Sequence, residues 1–354
     1  MQQTSQLDAP VTGRLPSGPL NLITDVRGVR VGHATLARER VQTGVTVIHP
    51  HDGDAFLERT PAAATVINGF GKSVGLLQME ELGVIETPIA LTNTFSVGGI
   101  ATAQLRQAIA EHPDIGREWP TANPLVLECN DGYLNDIQAF AVCEADYRLA
   151  CADTSTRFLQ GSVGAGRGMS CFGVKGGIGS ASRVADIGPG ARHTVGALVL
   201  ANFGRLANLT VRGKALGQML LQREASGQQD QVDQGSIIIV LAADAPLDTR
   251  QLRRLSMRAA AGLARTGSVY GHGSGDIALA FSTAYRIPFH AAQAMPAVAM
   301  LHETQLDPLF EAAAEATEQA IVNALWAAES VIGRDGHRRR TITELMPDWR
   351  EVLA

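Results

Sequence analysis

Between Leu221 and Gly235 the chain reads L-Q-R-E-A-S-G-Q-Q-D-Q-V-D-Q-G, almost without apolar residues, and Ser236 then opens the run S-I-I-I-V-L-A-A. A run apolar on both parities is the mark of a buried strand, because a strand with one face in water alternates. The polar stretch before it has too little apolar surface to order itself. A flexible linker therefore meets a rigid interior strand at a single bond, Gly235–Ser236.

Other segments place this strand in a larger design. V-R-V-G-H-A-T and T-G-V-T-V-I-H, within Gly28 to His49, alternate as half-buried strands do. Ala64 to Ile67 reads as a strand that turns at Asn68-Gly69-Phe70-Gly71 into a helix around Leu76, Leu77 and Met79. Pro88 to Thr92, Leu125 to Glu128 and Thr194 to Asn202 are further apolar strands, the last delivering an amide side chain. Gly161 to Arg183 is dense in glycine and serine and predicts a hairpin or ribbon dominated by backbone. Asp248 caps a helix through Leu252, Leu255, Ala259 and Leu263, while Asp307 and Pro308 open a long helix that stops at Gly333. Strands and helices are grouped more than alternated, which favours α+β layering over a doubly wound parallel sheet.

Charge narrows the partners. Thirty Lys+Arg against 35 Asp+Glu give a net charge of -5 with both signs scattered, so no basic stripe offers itself to nucleic acid. The four cysteines form no C-x-x-C pair, which argues against a zinc knuckle and for a reducing compartment. Neither a signal-peptide run nor a membrane-length apolar stretch is present, so the expectation is a cytoplasmic protein with a loose arm over residues 1–20.

The Gly235–Ser236 bond suggests chemistry. If the Ser236 hydroxyl attacks the preceding carbonyl, the peptide becomes an ester, and hydrolysis leaves Ser236 with a free α-amine. Such an amine has a reference pKa of about 7.7 to 8.0, so it can serve as a base at neutral pH without a histidine. The oxyanion of an acyl transfer needs fixed donors, for which Asn202 at its strand end is the candidate. Ser274 and Asp276, in the turn before the strand Ile277 to Phe281, can hold the amine and relay a proton as a third triad member does.

The segments T-G-V-T-V-I from Thr43, E-C-N-D-G-Y-L-N-D from Glu128, G-S-V-G-A-G-R-G-M from Gly161, K-G-G-I-G-S-A-S-R from Lys175, A-N-F-G from Ala201, G-S-I-I-I-V from Gly235, G-S-G-D from Gly273 and G-R-D-G from Gly333 follow one another in order. Together they resemble the DmpA-type L-aminopeptidase/D-amino-acid esterase-amidase family, which includes β-peptidyl aminopeptidases. The resemblance spans about Asn21 to Ile342. It implies a four-layer α-β-β-α sandwich of the N-terminal-nucleophile-like type shared with ornithine acetyltransferase, and a single catalytic domain over residues 21–354. It also implies self-cleavage into chains 1–235 and 236–354, a homotetramer of such heterodimers, and no metal or organic cofactor. The expected substrates are short peptides and amino acid amides or esters. By position Ser236 resembles the family's nucleophile, Asn202 its oxyanion amide, Ser274 and Asp276 its supporting pair, and Glu128 the carboxylate that receives the substrate's amine. Members often carry Glu where Asp276 stands and an aromatic residue where Asn130 stands, with Tyr133 the substitute for the latter.

Each of these residues also has a bland reading. Asn202 can end a strand in an Asx turn, Glu128 can cap or salt-bridge locally, and G-S-G-D is ordinary turn chemistry. Gly71-Lys72-Ser73-Val74-Gly75 satisfies G-x-S-x-G, so a serine esterase using Ser73 with His272 or His302 is the runner-up mechanism, disfavoured by the strand grouping. Val66 stands where a Walker A loop needs glycine, and His49-Pro50-His51 lacks a clustered third metal ligand. An acyltransferase using the same acyl-enzyme and a non-catalytic homologue complete the alternatives.

Overall fold

The computed structural model describes residues 7–188, 190–223, 235–291 and 298–354. Its strands are β1 (Arg30–Arg38), β2 (Val41–His49), β3 (Glu58–Gly69), β4 (Ile89–Asn93), β5 (Leu125–Cys129), β6 (Gly177–Gly188), β7 (Ala191–Asn202), β8 (Ser236–Ala243) and β9 (Gly275–Ser282), with several two-residue pairs besides. The longer helices are α1 (Leu76–Leu82), α2 (Val97–Glu111), α3 (Glu144–Ala152), α4 (Leu216–Arg223), α5 (Thr249–Arg265) and α6 (Asp307–Trp326).

Two sheets result. The smaller runs β1-β2-β4-β5, and the larger runs β3-β9-β8-β7-β6 with Ile287–Pro288 beyond β3. Pairing is antiparallel except for β4 with β5 and β8 with β9. Alternation along β8 explains the layering. Ile238, Val240 and Ala242 join Leu198 and Leu200 of β7 in a core shared with Ile48, Leu91 and Leu127 of the smaller sheet. Ile237, Ile239 and Leu241 face the other way, into a core with Leu252, Leu255 and Leu263 of α5 and Ala316, Ala320 and Ile321 of α6. On the far side of the smaller sheet, Val45, Val47 and Val126 pack with Val97 and Ile100 of α2 and Tyr147 of α3. The order is helices, sheet, sheet, helices: an α-β-β-α sandwich, as the sequence led us to expect.

Local chemistry holds the layers close. A Cβ at Gly179 of β6 would fall 1.9 Å from the Ala320 carbonyl of α6, so only glycine lets helix and strand meet there. Asp248 caps α5 as expected, its carboxylate accepting from the Gln251 N–H at 2.6 Å.

Four expectations need correction. Residues 7–20 are no loose arm: the Thr12 N–H donates to Gln319 at 2.7 Å, and the N–H groups of Arg14 and Leu15 donate to Glu315 at 2.9 Å each. The buried Arg183 guanidinium of β6 donates to the Thr12 carbonyl at 2.7 Å, so this segment is tied to α6 and β6, and Ala9, Leu15 and Leu20 add apolar contacts with the two cores. Helix α6 is capped by Leu306, with Asp307 already its first residue, and it stops at Trp326, well before Gly333. Trp326 packs edge-on to Trp349, which turns the chain back. Only part of Gly161–Arg183 is a ribbon: Ser170–Cys171 pairs with Val174–Lys175, and from Gly177 the chain is regular strand. The expected linker begins inside α4, which takes in Leu221 to Arg223, and residues 224–234 lie outside the described residues.

His33 ties β1 to its surroundings. Its Nε2 reaches the Leu159 carbonyl at 3.0 Å and its Nδ1 the Thr46 hydroxyl at 2.9 Å, a neutral arrangement, and burial lowers its pKa from 6.5 to about 4. Between those values the unfolded chain binds the extra proton, so this histidine's contribution is present above pH 6.5 and is lost as pH falls toward 4, at about 1.4 kcal/mol per pH unit. Denaturant midpoints at pH 6.5 and 4.5 should therefore converge in His33→Gln relative to wild type; an unchanged pH difference would disprove the assignment.

Candidate active site

Strand register assembles the site. Ser236 opens β8 and is the Cα partner of Asn202, which closes β7. On the other side β8 runs parallel to β9, with Ile237 opposite Asp276. By alternation Ser236 and Asn202 share the parity of Ile238 and Leu200, the face turned to the other sheet. Both are about 5% exposed, so the hydroxyl and the amide meet at a recessed mouth between the sheets.

The bonds there are specific. The Ser236 Oγ accepts from the Gly275 N–H at 3.0 Å. A Cβ at Gly275 would lie 3.1 Å from that oxygen and 2.7 Å from the Phe70 carbonyl, so close approach of the β9 backbone requires glycine. The Ser274 hydroxyl donates to Asp276 Oδ1 at 2.5 Å, both residues being buried. The shorter carboxylate thus reaches the serine. Gly235 is equally constrained, since a Cβ there would stand 1.9 Å from the Asn202 carbonyl oxygen.

The Asn202 amide is held from both ends. Its Oδ1 accepts from the Ser170 N–H at 2.8 Å, and its Nδ2 donates to the Asn130 carbonyl at 2.9 Å. This fixes which end is nitrogen and leaves the second N–H without a partner among the described residues. An oriented, partly shielded N–H is what a developing oxyanion needs.

Glu128, at the end of β5, is 3% exposed. Its Oε1 accepts from the Lys72 N–H at 2.8 Å and its Oε2 from the Thr94 hydroxyl. Gly71 lies between this carboxylate and Gly275, with positions near both for an added Cβ, so Glu128 and Ser236 flank the same loop. A buried carboxylate supplied with two donors suits a cationic amine.

Ser236, Asn202, Ser274, Asp276 and Glu128 are thus gathered around one mouth, whereas Tyr133 is not joined to them. Its ring stacks on His337 at 4.7 Å and lies under the Arg339 guanidinium at 3.7 Å. Asn130 contributes its carbonyl, and its side chain accepts from the Gly132 N–H at 2.9 Å. The Ser73 alternative fails: its Oγ is buried without a hydrogen-bond partner, and neither His272, which pairs with Phe70, nor His302, which bonds Thr304, is joined to it.

Other contributors went unseen in the sequence. Asn68 donates to the carbonyls of Gly271 and Ser274 and so anchors the turn before β9; its Asn-Gly context had marked only a turn. Thr94 and Ser170 carried no signal, because their roles depend on neighbours 34 and 32 positions away. Among the described residues no cluster of three His, Cys, Asp or Glu could hold a metal ion, and no helix is long and apolar enough to cross a membrane. All four cysteines are free.

Comparison with known proteins identifies relatives of the chain and of its fold. The model of peptidase family S58 matches residues 21–339. Beta-peptidyl aminopeptidase BapA of Sphingosinicella microcystinivorans is 38% identical, the match covering 94% of this chain and 87% of that protein. The PH0078 protein of Pyrococcus horikoshii OT3 is 46% identical in sequence and superposes with a TM-score of 0.91 over 97% of this chain and 98% of its own. The L-aminopeptidase D-Ala-esterase/amidase of Ochrobactrum anthropi, described as a prototype for the serine aminopeptidases and a variant of the Ntn hydrolase fold, is 35% identical, with a TM-score of 0.86 and 97% of each chain covered.

Thr94→Val keeps the shape of Thr94 but removes the donor to Glu128, leaving a buried carboxylate oxygen short of a bond. Urea unfolding near pH 7 should show a loss of about 1–3 kcal/mol; no change would mean the carboxylate is satisfied in another way.

Proposed function

The chain belongs to peptidase family S58 and is an aminopeptidase/amidase, and on that footing we propose that Ser236 is its nucleophile, released by cutting the Gly235–Ser236 bond. The observation that carries this reading is the Ser236 hydroxyl at a strand start, bonded to the Gly275 N–H, with the oriented Asn202 amide as its cross-strand neighbour.

In the first reaction the Ser236 Oγ attacks the Gly235 carbonyl carbon, its proton passes to the departing Ser236 nitrogen, and the amide becomes an ester. Water then hydrolyses the ester. This leaves Gly235 as a carboxylate and Ser236 with a free α-amine. The glycine leaves the carbonyl unshielded and fits where any Cβ would strike Asn202.

In the second reaction the neutral α-amine takes the proton from its own hydroxyl, and Oγ attacks the carbonyl of a short peptide, amino acid amide or ester. The free Nδ2 N–H of Asn202 receives the oxyanion, stabilisation of a kind worth about 2.7 to 4 kcal/mol per donor. Glu128 receives the substrate's ammonium, which limits attack to the first residue. The Ser274 hydroxyl, held by Asp276 at 2.5 Å, steadies the amine while it carries the proton. That proton then goes to the leaving amine, and water releases the acyl group by the same route.

Wild-type protein incubated at neutral pH should give fragments of 235 and 354 - 235 = 119 residues, the smaller beginning at serine on N-terminal sequencing. Ser236→Ala should stay one band and hydrolyse no p-nitroanilide, and Gly235→Ala should process far more slowly. An intact polypeptide that turns over at full rate would sink the proposal. Because the base is an α-amine and the substrate binds as an ammonium, kcat/KM of processed enzyme should rise with pH toward about 8 and fall above it as the substrate's own amine loses its proton; a profile flat from pH 6 to 9 contradicts it.

A further inference from the structure

Lys175 is wholly buried, yet it takes no part in the chemistry above. Its Nζ donates to three backbone carbonyls, those of Gly166 at 2.9 Å, Met169 at 2.9 Å and Gly176 at 2.7 Å. Three acceptors match the three N–H bonds of an ammonium. Burial first, and then the charge of Arg167, drive its pKa down, while Cys171 and Asp131 act to raise it. Taking an ammonium wholly out of water is costly unless its N–H bonds are met, and here the three carbonyls that meet them belong to the backbone around the Asn202 amide.

The Met169 carbonyl and the Ser170 N–H are two ends of one peptide unit. That N–H is the donor to Asn202 Oδ1 at 2.8 Å, and the carbonyl also accepts from the Gly176 N–H at 3.1 Å. A peptide unit is a rigid plane, so fixing its oxygen aims its hydrogen. We propose that Lys175 is a positioning residue for catalysis: by holding the 169–170 peptide plane it orients the Asn202 amide, and with it the N–H offered to the oxyanion.

The far side of the amide is built alike. Asn202 Nδ2 donates to the Asn130 carbonyl, and the next residue, Asp131, is wholly buried. Asp131 accepts from Asn135 at 3.0 Å, and a Cβ on Gly168 of the ribbon would come within 2.8 Å of it. The amide is therefore clamped between two peptide units, each next to a buried ionisable side chain, and Asp131 is among the charges that Lys175 feels. Glycines at 166, 168 and 176 let this segment lie close against the neighbouring strands, since added Cβ atoms would meet the backbones of Ile178, Gln42 and Ala201 at 2.5, 2.2 and 2.3 Å.

The inference rests on Asn202 as the oxyanion donor, and a double-mutant cycle separates the two claims. Wild type, Lys175→Met, Asn202→Ala and the double variant are assayed on one aminoacyl p-nitroanilide, with kcat expressed per cleaved chain from the amount of 119-residue fragment. Lys175→Met should lower kcat on the order of 10²-fold, the loss that a misplacement of about 1 Å brings, with KM nearly unchanged. In the Asn202→Ala background the same change should cost no further kcat, because there is no amide left to aim. Equal losses in both backgrounds would overturn the positioning role, while a wild-type kcat in Asn202→Ala alone would instead overturn the oxyanion assignment beneath it. Lys175→Gln, which keeps two donors, should fall between wild type and Lys175→Met; where Lys175→Met does not fold, the cycle is read with Lys175→Gln under the same criteria.

Discussion

The register of three neighbouring strands is the constraint on which the rest depends. Antiparallel pairing of β7 with β8 sets the end of one strand beside the start of the other, and parallel pairing of β8 with β9 sets two starts side by side. Asn202, Ser236 and Gly275 therefore arrive at one edge of one sheet. A one-residue slip in β8 would turn the Ser236 hydroxyl toward the helices and expose the isoleucine set to the wrong core. The apolar alternation that builds two cores is thus the same pattern that aims the nucleophile.

Backbone supplies much of what side chains supply elsewhere. The donor to the Ser236 hydroxyl is the Gly275 N–H, one donor to Glu128 is the Lys72 N–H, and the Asn202 amide is held by a backbone N–H on one end and a backbone carbonyl on the other. Backbone groups come preorganised by the sheet and cost no rotamer entropy to aim. The glycines at 235 and 275 are the price of such close approach, since any side chain there would strike the Asn202 carbonyl or the Phe70 carbonyl.

Much of this was legible in the residues. The buried strand at Ser236, the amide at the end of the Thr194 run, the G-S-G-D turn and the helix cap at Asp248 all depend on residues close in the chain, so a linear reading can find them. The order of the long motifs carried the family and hence the sandwich. The setting of Tyr133 was not legible, because its ring partners, His337 and Arg339, lie about two hundred positions on. The order of residues 7–20 was not legible for the same reason: it comes from Glu315, Gln319 and Arg183, far along the chain, and from cores that Ala9, Leu15 and Leu20 join only once the sheets have formed.

What the amino-acid order determined by itself was periodicity and local chemistry: which runs are strands, which faces are apolar, and where a serine follows a glycine at a strand start. Only the tertiary structure decided which polar groups share a site. Lys175 and Asn202 lie in different strands or turns, and so do Thr94 and Glu128, Asn68 and Ser274, and Tyr133 and His337. Hydrogen bonds act over about 3 Å whatever the distance along the chain, so such pairs leave no periodic trace and exist only once the two sheets have closed on each other.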